Sequence, residues 1–313
     1  ASAEYEASLM DYAEALRRNP EFAVAFHNRG LLHMKIAEME TERGSDASGS
    51  HARAIADFGE ELKRNPSTLE ARRSRGKALI RLGEIEAEGE TDPRERFRQA
   101  IEDFGACLGR STDDVESYTG RGCARLNLGK AEATRGGDAA EFYRGALADF
   151  DATLARAPEN WRAHANKAMV YVEMGDLASA VRSYEAALAG CPGHPGLTKD
   201  LGIARGMLSR SQRPGWVVEI EEGNQAIQGG DYEGARAKYE AALAAAGDGA
   251  GGDEAWREAR VAAHYNLACV YALLSTGKRA PAAETQAVTP EEAARAREVA
   301  FRHLRQAIEL DLA

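Results

Sequence analysis

Residues 159–192 read ENWRAHANKAMVYVEMGDLASAVRSYEAALAGCP, and their spacing sets the pattern for the whole chain. Apolar or small side chains at Trp161, Ala165, Ala168, Met169 and Tyr171 recur at helical intervals, and Gly175-Asp176 closes that helix. A second helix follows, with Leu177, Ala180, Val181, Tyr184, Ala187 and Leu188 on one face, and Cys191-Pro192 stops it. Ala168, Ala180 and Ala187 are small where two antiparallel helices must approach, and Tyr184 fills the space beside them. A unit of 34 residues built this way cannot bury its apolar face alone and needs neighbours stacked upon it.

Upstream, the same features recur at a longer interval. The closing position falls at Pro20, Pro66, Thr112 and Pro158. The second-helix aromatic falls at Tyr12, Phe58, Phe104 and Phe150, and the tight-packing residue at Gly30, Gly76, Gly122 and Ala168; each set steps by 46 residues. Independent positions moving in register mark true internal repeats. Each long unit carries 12 residues more than the 34-residue unit, placed between its two helices. Asp46, Asp92 and Asp138 keep the same step and stand just before the second helices. Asp is a favoured N-cap, and Pro93 suits a first helical position. The extra residues are therefore expected to lengthen both helices, with turns near Gly44, Gly89 and Gly136 on one edge. A flexible loop, suggested by the run from Gly44 to Ser50, is the alternative.

Small residues, an aromatic and a closing proline at these offsets resemble the tetratricopeptide repeat. The resemblance covers nearly the whole chain and implies an all-α solenoid of helix-turn-helix repeats. Glu61 and Thr153 depart from it at a position that is normally small. Two phrasings are similar to repeat regions attached to bacterial serine/threonine kinases. They are NRG at 28–30 with AIADF at 54–58, and YNLACVYALL at 265–274 with AFRHLRQAIEL at 300–310.

Two arrays are expected. The first, residues 1–210, opens with a second helix beginning at Tyr5, read as half of a cut repeat or else as a cap. Three 46-residue units, the 34-residue unit and a lone closing helix at 196–210 complete it. The phase then breaks, because Gly202 and Gly223 both look like first-helix glycines yet lie 21 apart, with the breaker SRSQRPG between them. The second array, residues 215–313, pairs a unit carrying Gly223, Ala235, Tyr239 and Ala242 with a last unit carrying Ala300, Leu304 and Ala307. AGDGAGGD at 246–253 links the two, and 275–289 reads as a long loop.

The chain has 313 residues, is 44% hydrophobic, and carries a net charge of −10, which disfavours a broad nucleic-acid surface. Cys107, Cys123, Cys191 and Cys269 are far apart and form no CxxC pair, so packing thiols are expected. No apolar run approaches the roughly 18 residues of a spanning helix, and no signal peptide is visible. Membrane insertion is therefore not expected, and a cytoplasmic location is, although the first residue is not Met.

Catalytic patterns fail their own context tests. A GxGxxG at Gly247–Gly252 follows an alanine-rich helix and no strand. DFG occurs at Asp57–Gly59 and Asp103–Gly105, but its Phe is the repeat aromatic and no HRD loop accompanies it. The seven histidines form no HExxH or Cys/His cluster, and no GxSxG is present. Neither a catalytic role nor a cofactor or metal is expected.

The resemblance implies that first helices line a concave face, where extended peptides or partner helices bind. Two residues before the tight-packing position, an Asn often grips a peptide backbone in this family. Asn28, Asn166 and Asn266 hold that position here, while Ser74, Gly120, Asp200 and Glu221 interrupt the row. An amide suits the task because it both donates and accepts. In the unit at 67–112, Arg73, Lys77 and Arg81 stand at i, i+4 and i+8 on one helical face. Such a row repels itself unless neighbouring carboxylates or an anionic ligand answer it. Lys199 extends the same sign. The two-lysine, two-asparagine carboxylate clamp of chaperone-binding relatives is not present in consecutive units. The chain thus reads as a non-catalytic scaffold for another protein or peptide, an acidic one by the Arg73 row. The alternatives are a regulatory segment of a kinase and a structural element that assembles with copies of itself.

Overall fold

The computed structural model describes residues 2–89, 91–246, 254–276 and 289–311, and among these it is all α-helix with no strand. Residues 247–253, with the GxGxxG and most of the expected linker, and 277–288 of the expected loop lie outside the described residues. The chain divides into two compact units, Ala1–Gly206 and Met207–Ala313. The first opens with α1 (Ser2–Arg18) and continues in helix pairs: α2 (Ala23–Glu42) with α3 (Ser48–Arg64), α4 (Leu69–Glu88) with α5 (Arg94–Leu108), α6 (Val115–Thr134) with α7 (Ala140–Arg156), and α8 (Trp161–Glu173) with α9 (Leu177–Gly190). Helix α10 (Pro195–Gln212) follows and runs across the division. The second unit pairs α11 (Gly215–Gln228) with α12 (Tyr232–Ala246) and α13 (Glu254–Leu274) with α14 (Pro290–Asp311). Both units are tetratricopeptide-like helical hairpins stacked in series.

A ring pressed onto a glycine joins the two helices of each long unit. A Cβ on Gly30 would come within 2.8 Å of Phe58, one on Gly76 within 2.8 Å of Phe104, and one on Gly122 within 2.7 Å of Phe150. Those three rings are fully buried, and burying each stabilises the fold by about 1.5–3 kcal/mol. Gly223 and Tyr239 repeat the contact at 2.7 Å in the second unit, while Ala168, itself fully buried, stands at this position in the 34-residue hairpin.

The 12 extra residues of the long units are mostly helix. First helices α2, α4 and α6 have 20 residues against 13 in α8, and α3 and α7 have 17 against 14 in α9. A second ring-on-glycine contact supports the extension seven residues further along. Phe97 lies on Gly83 and Tyr143 on Gly129, each with a Cβ approach of 2.6 Å. Asp46, Asp92 and Asp138 stand one residue before the N-caps Ala47, Pro93 and Ala139, not at the N-cap as expected, and brace the start of each second helix by accepting the backbone N–H two residues on, at 2.8, 3.1 and 2.9 Å. At Gly44 and Gly136 the chain takes φ of 70° and 75°, a left-handed turn that glycine enters without strain.

Beside each ring lies an ion pair. Arg29, Arg75 and Arg121, one residue before the tight glycines, each make a two-pronged contact with Asp57, Asp103 and Asp149, one residue before the rings. The distances run from 2.6 to 3.0 Å, and the carboxylates are only 2–4% exposed. All six residues keep the 46-residue step. In the 34-residue hairpin Ser183 replaces the aspartate, and Lys167 reaches back instead to Asp151 of α7 at 2.5 Å. None of the four cysteines is in a disulfide; Cys107 is buried, but Cys269 is exposed and not packed as expected. Among the described residues no helix is long and apolar enough to cross a membrane.

Removing one member of a buried ion pair leaves the other uncompensated, whereas removing both does not. Asp103→Ala is therefore expected to destabilise the first unit by about 3–5 kcal/mol. Arg75→Met with Asp103→Leu should cost clearly less than the two single changes together. Urea unfolding of the unaltered chain, Asp103→Ala, Arg75→Met, Asp103→Leu and the double variant checks this.

Candidate functional site

Within the first unit, the first helices form the closer-packed layer. Helices α2, α4, α6 and α8 touch in succession, and among the described residues α3–α5 and α5–α7 make no contact of that extent. The inner face is therefore that of the first helices, and it presents Val24, Asn28 and Leu31 on α2, Lys77 and Arg81 on α4, and Asn127 on α6, while Ser74 of α4 is buried. The Arg–Asp pairs and rings hold the opposite face of each helix and so fix which side chains turn inward.

Carboxylates from neighbouring positions answer the basic row on α4. Arg73 donates to Asp114 at 3.0 Å and lies 3.3 Å from Glu116. Asp114 is also the N-cap of α6, accepting from the Ser117 N–H at 3.0 Å and its hydroxyl at 2.7 Å. Burial works against the charge on Arg73, but the Asp114 bond and the charges of Asp114 and Glu116 outweigh it, and its pKa is raised. Burial likewise opposes ionisation of Asp114, yet Ser117 and Arg73 together hold its carboxyl below the usual range. Lys77 pairs with Glu116, and Arg81 with Glu84 in its own helix at 2.8 Å. The three differ in access, with side chains 28%, 49% and 67% exposed from Arg73 to Arg81.

Other inner-face groups cross between first helices. Asn127 donates to Glu84 at 3.1 Å, Lys130 lies 3.2 Å from Glu173, and Asn166 approaches the Cys123 sulfur at 3.1 Å. Burial, with the Glu84 charge adding, pushes the Cys123 thiol up to about 12, which makes it a poor nucleophile. Asn28 makes no side-chain hydrogen bond among the described residues, and it sits between Val24 and Leu31, which are 56% and 42% exposed. The two departures from the repeat pattern face polar partners: Glu61 meets His27 Nδ1 at 2.7 Å, and Thr153 meets Thr119 at 3.1 Å.

The sequence-predicted residues do not form one cluster. Arg73, Lys77 and Arg81 share α4, and Asn28 lies on the adjoining α2. Asn166 is on α8, with α6 between it and α4. Lys199 is exposed on α10, whose Leu197, Leu201 and Ala204 pack on α8 and α9. Asn266 belongs to the other unit, where it donates to Asn224 at 3.1 Å. A cleft of about 340 Å³ opens where the lengthened ends of α4 and α6 meet the start of α5, with Phe97 and Ala131 in its wall. No group of three or more His, Cys, Asp or Glu able to hold a metal ion occurs among the described residues.

The family model for the tetratricopeptide repeat matches residues 46–91 and 138–195. Solved structures with similar folds include MamA, at 17% identity over 60% of this chain and 90% of that one, with a TM-score of 0.44. YrrB, described as a tetratricopeptide repeat protein with an unusual peptide-binding site, matches at 19% identity over 63% of this chain and 84% of that one, with a TM-score of 0.44. A tetratricopeptide repeat protein from Parabacteroides merdae matches at 17% identity over 84% of this chain and 78% of that one, also at 0.44. No curated protein matches the sequence.

The pairing predicts a split within the row. Arg73→Ala should cost about 1–2 kcal/mol and lower the melting temperature by a few degrees, since it strips a charge-assisted partner from a helix cap. Lys77→Ala, whose ion pair is half exposed, should change stability by less than about 0.5 kcal/mol. Thermal melts of the two variants check the difference.

Proposed function

We propose that this chain, whose matched segments are tetratricopeptide repeats, is a non-catalytic scaffold that receives an extended protein segment on the inner face of its first unit. The observation that carries the reading is the surface shared by α2 and α4. Asn28 is unengaged between two exposed apolar side chains on α2, and the adjoining α4 carries the more accessible cations, Lys77 and Arg81. An acidic residue of the incoming segment competes with Glu116 for Lys77 and with Glu84 for Arg81. Both native partners are at least 39% exposed, so the exchange costs little desolvation. Asn28 is placed to bond the backbone of that segment, and Val24 and Leu31 to cover an apolar side chain. Arg73 supports the site through Asp114 and is not a ligand contact. Asn166, Lys199 and Asn266 lie on other helices and extend or duplicate the surface.

Assembly with further copies of the chain is a second reading, favoured by exposed apolar residues: Met10 on α1, and Phe301 and Ile308 on α14, at 73%, 72% and 52%. Light scattering across a concentration series separates the two, because a strict monomer removes it. The kinase-segment alternative is tested by the coding sequence that flanks this one.

For the groove, affinity capture with the whole chain and with Lys77→Glu/Arg81→Glu, quantified in parallel, is the direct experiment. The double variant should lose its principal partner while its melting temperature stays within about 2 °C. Binding by the unaltered chain should weaken as salt rises, because exposed charges are screened over about 8 Å at physiological ionic strength. Equal capture by both proteins, or salt-independent binding, contradicts the site.

A further inference from the structure

In the second unit, α13 and α14 meet through two imidazoles. His264 Nδ1 and His303 Nδ1 lie 2.9 Å apart, with ring centroids at 5.2 Å. His264 is 5% exposed. The Tyr271 ring is stacked against His303 at 5.8 Å and 7°, and its hydroxyl donates to Glu240 of α12 at 2.6 Å. The charged groups around the pair are Arg260 on α13, Arg302 on α14 and Glu240 on α12, the last also 3.9 Å from Arg236.

A hydrogen bond between two ring nitrogens needs one N–H and one bare lone pair. Two neutral imidazoles can make it, and so can one imidazolium with one neutral ring. Two imidazolium rings cannot, because both nitrogens then carry hydrogens and both rings are positive.

We propose that His264 and His303 form a one-proton latch that fastens α14 to α13 and opens when the second ring is protonated. Burial foremost lowers the pKa of His303; Glu240 opposes this by favouring the charged ring, and Arg302 adds to the lowering. Glu240 acts on His303 and not on His264, so His303 takes the first proton and donates to His264. His264 resists the second: burial foremost, then the positive charges of His303 and Arg260, pushes it down to about 4 from the ordinary 6.5. A group whose folded pKa is depressed contributes its full stability above its unfolded value and loses it as pH falls through the interval below. The latch therefore holds above 6.5 and weakens progressively toward 4. Opening it separates the hairpin beside Leu267 and Val270, which are fully buried.

His33 and His51 in the first unit are also pushed down by burial, so global acid melting does not isolate the latch. A local readout does. Hydrogen exchange on the whole chain at about pH 7.5 and 4.5, corrected for intrinsic rates, should show α14 losing at least about tenfold in protection on acidification. In His303→Gln, whose amide donates to His264 when that ring is neutral and accepts from it when it is protonated, the loss should be less than about threefold. The same acid loss in both proteins, or none in the unaltered chain, overturns the latch. Should His303→Gln already lack protection of α14 at neutral pH, imidazole NMR of the unaltered chain decides. Two separated titration steps, the lower one coinciding with loss of α14 protection, support the latch; independent titration of both rings near the ordinary value refutes it.

Discussion

The contact between a buried ring and a bare glycine sets the separation of the two helices in every long unit. Phe58, Phe104 and Phe150 occupy the volume a Cβ would take on Gly30, Gly76 and Gly122. Phe104 also lies beneath Gly120 of the next first helix, where an added Cβ would stand 2.4 Å away. That ring thus couples α4 and α5 to α6, and the register of one hairpin passes to its neighbour. The bidentate Arg–Asp pairs lie one residue to the side and oppose rotation of the first helix about its axis. A buried ion pair adds little net stability over an apolar pair of similar volume, but it tolerates only one geometry. Rings supply the cohesion, and the charged pairs select the orientation.

The inner face inherits its chemistry from this arrangement. Because the buried face of each first helix is held twice, by ring and by ion pair, the residues diametrically opposite are committed to the open side. The lengthened hairpins enlarge that side by nearly two turns of helix, and the second tier of ring-on-glycine contacts, Phe97 on Gly83 and Tyr143 on Gly129, keeps the extension rigid. Charges there are laced from one first helix to the next through Glu116, Glu84, Asn127 and Lys130. On the proposed function, an incoming acidic segment displaces Glu116 from Lys77 and Glu84 from Arg81.

The 46-residue step was legible because glycine, aromatic and proline each play a part no other residue type plays as well. The lengthening of the helices was legible from Asp46, Asp92 and Asp138, whose bond at the helix start depends only on neighbours two residues away. Arg29, Arg75 and Arg121 keep the same step, as do Asp57, Asp103 and Asp149, so the ion pairs carried a readable signal. The tripeptide DFG masks it at Asp57 and Asp103, while Asp149 opens DFD and carries the same pairing without it. The partners of Arg73 and Lys77 were beyond reach. Asp114 and Glu116 lie some forty residues on, and their approach depends on the offset between α4 and α6, which no local pattern encodes. The meeting of His264 with His303 has the same origin, since 39 residues separate them in the chain. Asn266 shares a sequence context with Asn28, yet the division of the chain puts them in different units.

The central claim is that the ring-on-glycine contact, and no intrinsic helix preference, governs the packing of the long hairpins. Gly76→Ala separates the two because they act with opposite sign. On helix propensity alone, alanine in the middle of α4 should stabilise by up to about 1 kcal/mol. If Phe104 needs the space, the added methyl forces the ring or the helix aside and costs about 1–3 kcal/mol of overpacking strain. Denaturant unfolding of Gly76→Ala should therefore show a clear loss of stability, partly recovered when Phe104 is shortened to Leu in the same chain. A variant as stable as the unaltered protein, or more so, would contradict the claim.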